Sequence, residues 1–193
     1  MIRGLLLCGG KSSRFGSDKL LVTVDSSPLV ARSARHLVEA LGNTLAVIPP
    51  GADLLRRVLE SAGCEILESP HTARGLGASL AAGVAASPDA EGWIVALGDM
   101  PFIQPSTIAA VRQRLAAGAL IAAPVLAATG QRGHPVGFSR ARHAGLLAID
   151  GDDGARSVIA AHRDEVVLVE VDDPGIVTDI DVPSDLEGRE TRG

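Results

Sequence analysis

"LLLCGGKSSRFGSDKLL", Leu5–Leu21, changes character at its midpoint. Leu5–Cys8 is apolar enough for a buried strand, and Gly9-Gly10 then opens a polar loop that carries Lys11, Arg14 and Lys19. Paired glycines let a chain turn sharply and bring backbone N–H groups close to a ligand. A buried strand that exits into such a loop suits an α/β sheet, where ligands collect beyond the carboxyl ends of the strands.

Outward from that stretch, short apolar runs exchange with longer segments of helical spacing. Leu45–Ile48, Glu65–Leu67, Trp93–Leu97, Leu120–Ala123, Val136–Phe138 and Val166–Val171 read as further strands. The last of these either alternates or is buried throughout. Leu29–Leu41 reads as a helix after Pro28, stopped by Gly42, and Leu54–Ala62 as a second. Small residues suggest a helix over Ser79–Ala86. "PSTIAAVRQRLAAG" follows with Ser106 or a neighbour as its cap and Gly118 near its end, and Ala155–His162 is the last helix. Strands separated by helices imply right-handed crossovers and a mainly parallel sheet. Residues 1–193 read as one domain, with "EGRETRG" as a frayed tail.

Composition narrows the function. Apolar residues make up 46% of 193, yet there are three Phe, one Trp and no Tyr, so stacking platforms for single-stranded nucleic acid are nearly absent. A net charge of −5 argues against a broad phosphate-backbone interface, though a local cationic pocket remains compatible with it. Cys8 and Cys64 are the two cysteines, far apart and outside any CxxC, which speaks against a zinc site or a disulfide scaffold. No run approaches the ~20 apolar residues of a membrane span, so a soluble cytoplasmic protein is expected.

The loop excludes two familiar nucleotide motifs by spacing. Walker A needs GxxxxGK[ST], and Gly16 is followed by Ser17 and Asp18; GxGxxG is also missing. Arg14 and Lys19 are nevertheless suited to phosphate oxygens, Arg as a fork and Lys as a compact charge. Taken alone, the loop has a second reading, as a surface turn with solvated cations. "ALGDMP" adds Asp99 directly after a buried strand, either as a Mg²⁺ ligand or as a turn residue. Asp179 and Asp181 in "DIDVPSDL" are two apart, so in an extended segment one at most faces a given site. Asp185 fits the first turn of a helix opened by Pro183 and reads as structural.

Leu6–Lys19 fits the outline LxxGGxSxRxGxxK and resembles the signature loop of nucleotidyltransferases, with "LGDMPF" and "DIDVPSDL" at the family's distances. The chain is most similar to the molybdenum cofactor nucleotidyltransferases over nearly its whole length. "GLGASLAAG" and "GHPVGF" resemble the molybdopterin cytidylyltransferase branch. The resemblance implies a three-layer Rossmann-like nucleotidyltransferase fold and transfer of a nucleoside monophosphate, CMP from CTP, to the phosphate of molybdopterin. It implies nucleotide binding by Leu7, Cys8, Gly9, Gly10, Arg14, Lys19, Gly75 and Ser79, with Arg14, Lys19 and Asp99 catalytic. It also implies Mg²⁺ or Mn²⁺ on Asp99 with Asp179 or Asp181, and His134 against the pterin, assisted by Arg132. Gly75–Gly77 and Ser79 read the base, or else serve close helix packing. Cys8 packs beneath the loop; His36, His71, His143 and His162 show no ligand spacing.

A recipient molybdoenzyme is an implied partner, whereas nucleic acid and membrane are not. Alternatives are a guanylyltransferase, a nucleotidyltransferase for a sugar phosphate, a polyol phosphate or a cobinamide, and a non-catalytic molybdenum cofactor chaperone.

Overall fold

The computed structural model describes residues 1–9, 19–24 and 26–180. In it the opening apolar run is strand β1, Ile2–Leu7. It lies between β4 (Thr44–Ile48) and β6 (Gly92–Leu97), parallel to both, with Leu5 opposite Leu45 on one side and Val95 on the other. Strand β5 (Glu65–Glu68) extends the sheet beyond β4 in parallel. On the other side, β8 (Val136–Ser139) runs antiparallel to β6 and to β7 (Ile121–Leu126), and β9 (Val166–Val171) lies parallel to β7. The order is β5-β4-β1-β6-β8-β7-β9. A two-residue ribbon, β2 (Thr23–Val24) with β3 (Ser27–Pro28), stands apart from it.

Strand alternation gives the central strands two apolar faces, as a sheet covered on both sides requires. Leu6 and Ala46 pack with α1 (Leu29–Leu41), α2 (Asp53–Ser61) and α4 (Pro105–Ala116) in one core. Leu5, Leu7, Val95 and Trp93 pack with α3 (Leu76–Ala85), α5 (His143–Leu147) and α6 (Arg156–Ala161) in the other. Small residues bring α3 close to the sheet: a Cβ on Gly83 would stand 3.1 Å from Val47 Cγ2. The result is the expected three-layer α/β fold with a mainly parallel sheet.

Four particulars differ from the sequence reading. α3 begins at Leu76 rather than Ser79, because Gly75 takes φ +121° and supplies the entry. α4 is capped by neither Ser106 nor a local neighbour. Asp173, beyond β9, accepts from the Gln104 amide at 2.9 Å and the Thr107 hydroxyl at 2.7 Å. Val166–Val171 neither alternates cleanly nor is buried throughout; as an edge strand it buries Val169 and exposes Val167 and Leu168. β8 is reversed, because the β7–β8 link holds no helix to carry the chain back across the sheet. No described helix is long and apolar enough to cross a membrane.

Candidate active site

The exits of β1 and β6 are locked together. The Cys8 amide donates to the Val47 carbonyl and the Gly98 amide to the Leu7 carbonyl, both at 3.0 Å. Leu7 and Cys8 are consequently buried within the sheet's end. Gly9 follows, pressed against the turn Pro70–Arg74 and α3. A Cβ there would lie 2.7 Å from Thr72 Cβ and 2.9 Å from Ser79 Oγ, so only glycine fits without displacement. Gly10 and Arg14 lie outside the described residues, as does Asp181.

Lys19 re-enters at the same rim. It is 7% exposed, and its ammonium donates to Asp99 Oδ2 at 3.0 Å across eighty positions of sequence. Asp99 is set by its neighbours, since the Ser33 hydroxyl of α1 donates to the Gly98 carbonyl at 3.0 Å. The Ile180 amide donates to the Asp99 carbonyl at 3.1 Å. That bond lays the exposed Asp179 beside Asp99. A lysine this buried requires a compensating charge, and Asp99 supplies it.

His134 reaches this rim through the reversal of β8. Val136 opposes Val95 near the end of β6, so the entry to β8, not its exit, lies beside Asp99. The His134 amide donates to the Ile176 carbonyl at 2.9 Å, and the Gly133 amide to the Pro124 carbonyl at 3.0 Å. Gly133 leaves no room for a side chain, since a Cβ would meet the Ile176 oxygen at 2.0 Å. Burial pushes the His134 imidazole below its ordinary pKa; the Val95 carbonyl, Asp99 and Asp179 oppose that shift, and Arg156 adds to it. The ring is therefore neutral at pH 7. Its Nδ1 is buried without a hydrogen-bond partner among the described residues. Arg132 is exposed one residue before Gly133.

The Gly75–Ser79 segment is occupied by packing. Ser79 is fully buried and its hydroxyl donates to the Gly75 carbonyl at 2.9 Å. A Cβ on Gly75 would meet Asp152 Oδ1 at 2.1 Å, and the Gly77 amide donates to the Gly151 carbonyl at 2.8 Å. Arg74 pairs with Asp150 in the same clasp. The segment Asp150–Gly154, absent from the sequence reading, thus braces the start of α3. Its run "DGDDG" signalled a turn, and nothing in that composition says what the turn touches.

For a divalent cation the rim offers hard carboxylate oxygens. Asp99 is partly exposed and Asp179 exposed, but no group of three His, Cys, Asp or Glu side chains suited to a metal occurs among the described residues. That donor set fits Mg²⁺ or Mn²⁺, which are commonly held by one or two carboxylates with substrate phosphates completing the shell.

Comparison with known proteins follows the same lines. A family described as the MobA-like NTP transferase domain matches residues 4–166. A probable molybdenum cofactor guanylyltransferase of Thermococcus sibiricus is 30% identical over 105 residues, 54% of this chain and 51% of that protein. The match therefore spans about half the length of that curated relative. The crystal structure of Rv0371c from Mycobacterium tuberculosis H37Rv superposes with a TM-score of 0.81 at 26% identity, covering 95% of this chain and 94% of that one. A nucleotidyl transferase of Methanothermobacter thermautotroptrophicus shares the fold, with a TM-score of 0.77 at 21% identity and coverage of 96% and 94%. A manganese complex of Rv0371C also shares it, with a TM-score of 0.73 at 21% identity and coverage of 88% and 87%.

Proposed function

Since the chain belongs to the MobA-like NTP transferase family, we propose that it is a nucleotidyltransferase that moves CMP from CTP to the terminal phosphate of molybdopterin. An oxygen of the acceptor phosphate bonds to the α-phosphorus, the bond from that phosphorus to the β-phosphate oxygen breaks, and pyrophosphate leaves. Both partners are anions, so the obstacle is repulsion, and positioning with charge compensation dominates over proton transfer. The nucleophile needs no general base, because a phosphate monoester's second pKa is ~6. A neutral His134 accords with that, serving to position the acceptor rather than to take its proton.

The observation that carries the reading is the Lys19–Asp99 pair at the carboxyl rim. Lys19, with Arg14, compensates the β- and γ-phosphates and the departing pyrophosphate, while the backbone at Gly9 and Gly10 cradles the triphosphate. Asp99, with Asp179 or Asp181, would hold the divalent cation, which supplies neutralisation of phosphate charge. Gly75 and Ser79 act on the nucleotide from beneath, by fixing how closely Gly9 approaches α3.

CTP as donor rests on "GLGASLAAG" and "GHPVGF". The name of the Thermococcus relative favours a second reading, with GTP as donor. Each of the four NTPs, incubated with molybdopterin and Mg²⁺ or Mn²⁺, decides between them. CTP is expected to give the most pyrophosphate and a cytosine dinucleotide product. Dominance of GTP would favour the second reading, and binding without pyrophosphate from any NTP would leave a chaperone.

A further inference from the structure

The chain that carries Asp99 from β6 to α4, Gly98–Gln104, does not fix its own shape. Its amides find one local carbonyl among the described residues, Met100 to Leu97 at 3.4 Å. Buried backbone must still be satisfied, and here side chains from outside the segment do it. Ser33 and His36 stand three apart on α1, so they share one face of that helix. Ser33 is buried, and its hydroxyl, which within a helix can turn back on its own backbone, donates instead to the Gly98 carbonyl at 3.0 Å. His36 Nδ1 meets the Ile103 carbonyl at 2.8 Å. A carbonyl only accepts, so Nδ1 carries the hydrogen. Between these two bonds the Arg32 guanidinium lies over the Phe102 ring, 5.3 Å from its centre.

The other side of the segment is held as well. The Gln104 amide donates to Asp173 Oδ2 at 2.9 Å, and a Cβ on Gly175 would lie 2.2 Å from the Phe102 oxygen. Met100 and Ile103 are buried. The space they leave against Ser33 and His36 is a cavity of about 10 Å³, at the limit for one water. While both donors remain, the segment has little room to shift.

Asp99 needs that restraint. Its Oδ2 accepts from Lys19 at 3.0 Å, and the proposed transfer gives the same carboxylate a divalent cation. A small divalent ion holds its oxygens at about 2 Å in strict geometry. A carboxylate shared between an ammonium and such an ion tolerates little drift.

We propose that His36 is a positioning residue for Asp99, acting with Ser33 through the backbone of Gly98–Ile103. The two side chains clamp the segment at its ends, and the direction of the Asp99 carboxylate follows from where those ends are fixed. In this way α1 shapes the cation site from behind. The proposal rests on the reading of Asp99 as a cation ligand, and its test separates the two.

Mn²⁺ alone, titrated into the protein and followed by loss of its free-ion electron paramagnetic resonance signal, reads the site without turnover. Asp99→Ala gives the loss that follows from removing the ligand itself. Ser33→Ala and His36→Ala should each weaken Mn²⁺ about tenfold, the low end for residues that orient a metal ligand. Both should lower kcat for pyrophosphate release by a similar factor and leave KM for CTP within about twofold. His36→Asn, whose amide nitrogen takes the place of Nδ1, should recover most of both losses. Leu37→Ala, buried on the same helix against Gly4 of β1, should lower the urea midpoint and leave Mn²⁺ affinity within about twofold. Unchanged Mn²⁺ affinity in Ser33→Ala and His36→Ala, an equal loss in Leu37→Ala, or no recovery in His36→Asn would overturn the positioning role. If the unaltered protein binds no Mn²⁺, or Asp99→Ala binds it equally well, the cation reading of Asp99 fails and the proposal with it. Weaker Mn²⁺ in the variants, with no pyrophosphate from the unaltered protein and any NTP, would sink the transfer reading and keep the clamp.

Discussion

Lys19 and Asp99 carry opposite charges in one partly buried pair, so each is poised by the other before any substrate arrives. Lys19→Ala and Asp99→Ala should each lower kcat by ~10²–10³, the usual loss for one preorganised charge partner. The double variant should lose little more than the worse single one, because members of one constellation are not additive. Pyrophosphate release measures all three; near-full turnover in folded Asp99→Ala would remove its metal role. The thiols are the counter-case. Burial raises Cys64 to about 11 and Cys8 well above its ordinary value. Iodoacetamide at pH 8 should therefore label neither in the folded protein and both in urea, and rapid native labelling of Cys8 would contradict its packed position. Gly9 and Asp99 were legible in the sequence because each sits just beyond a strand exit, and Lys19 because it closes the polar loop that the first of those strands opens into. Gly75 and Gly77 were not, since a glycine that reads a ligand and one that admits a neighbouring loop are the same letter.

At the scale of elements, α4 depends on a cap supplied from far along the chain. Asp173 is buried and accepts from the Gln104 amide and Thr107 hydroxyl with one oxygen and from the Gly175 amide with the other. Asp173→Ala should cost about 3 kcal/mol, since removal strands buried donors that bonded a charged acceptor. Urea unfolding reads this, with Asp172→Ala, an exposed neighbour, expected within about 0.5 kcal/mol of the original. A loss in Asp173→Ala no larger than the control's would show that the cap contributes nothing. Hydrophobic periodicity located the seven sheet strands and five of the helices, Leu29–Leu41 to the residue. It missed α5 at five residues and the β2–β3 ribbon at two each, which are shorter than any period that could mark them. Nor does periodicity carry direction, so the reversal of β8 was invisible, although it is what brings His134 beside Asp99.

For the molecule as a whole, two partly buried histidines set an acid limit. Burial lowers both His134 and His36, the latter against the opposing Ile103 carbonyl, which its Nδ1 meets at 2.8 Å. The fold therefore favours the neutral rings, and the unfolded chain binds more protons. Stability should be greatest above the ordinary value of 6.5 and fall as pH drops through it toward the lower folded values. Urea midpoints at pH 8, 7, 6 and 5 should decline below 6.5, and His36→Gln should flatten part of that decline. A midpoint that held constant or rose toward pH 5 would contradict the burial of these rings. The three-layer architecture was evident from alternating strands and helices, whereas the clamp on Asp99 was not, because its parts come from elements scattered between Arg32 and Gly175.

The account turns on a rim where compensated charge lets two phosphate groups meet and exchange a bond. CTP labelled at its α-phosphorus, incubated with molybdopterin and Mg²⁺ or Mn²⁺, tests that directly. The label should move into a cytosine–molybdopterin dinucleotide, with one pyrophosphate released per label transferred. Label that stays in CTP, or emerges as free CMP beside unchanged acceptor, would contradict it.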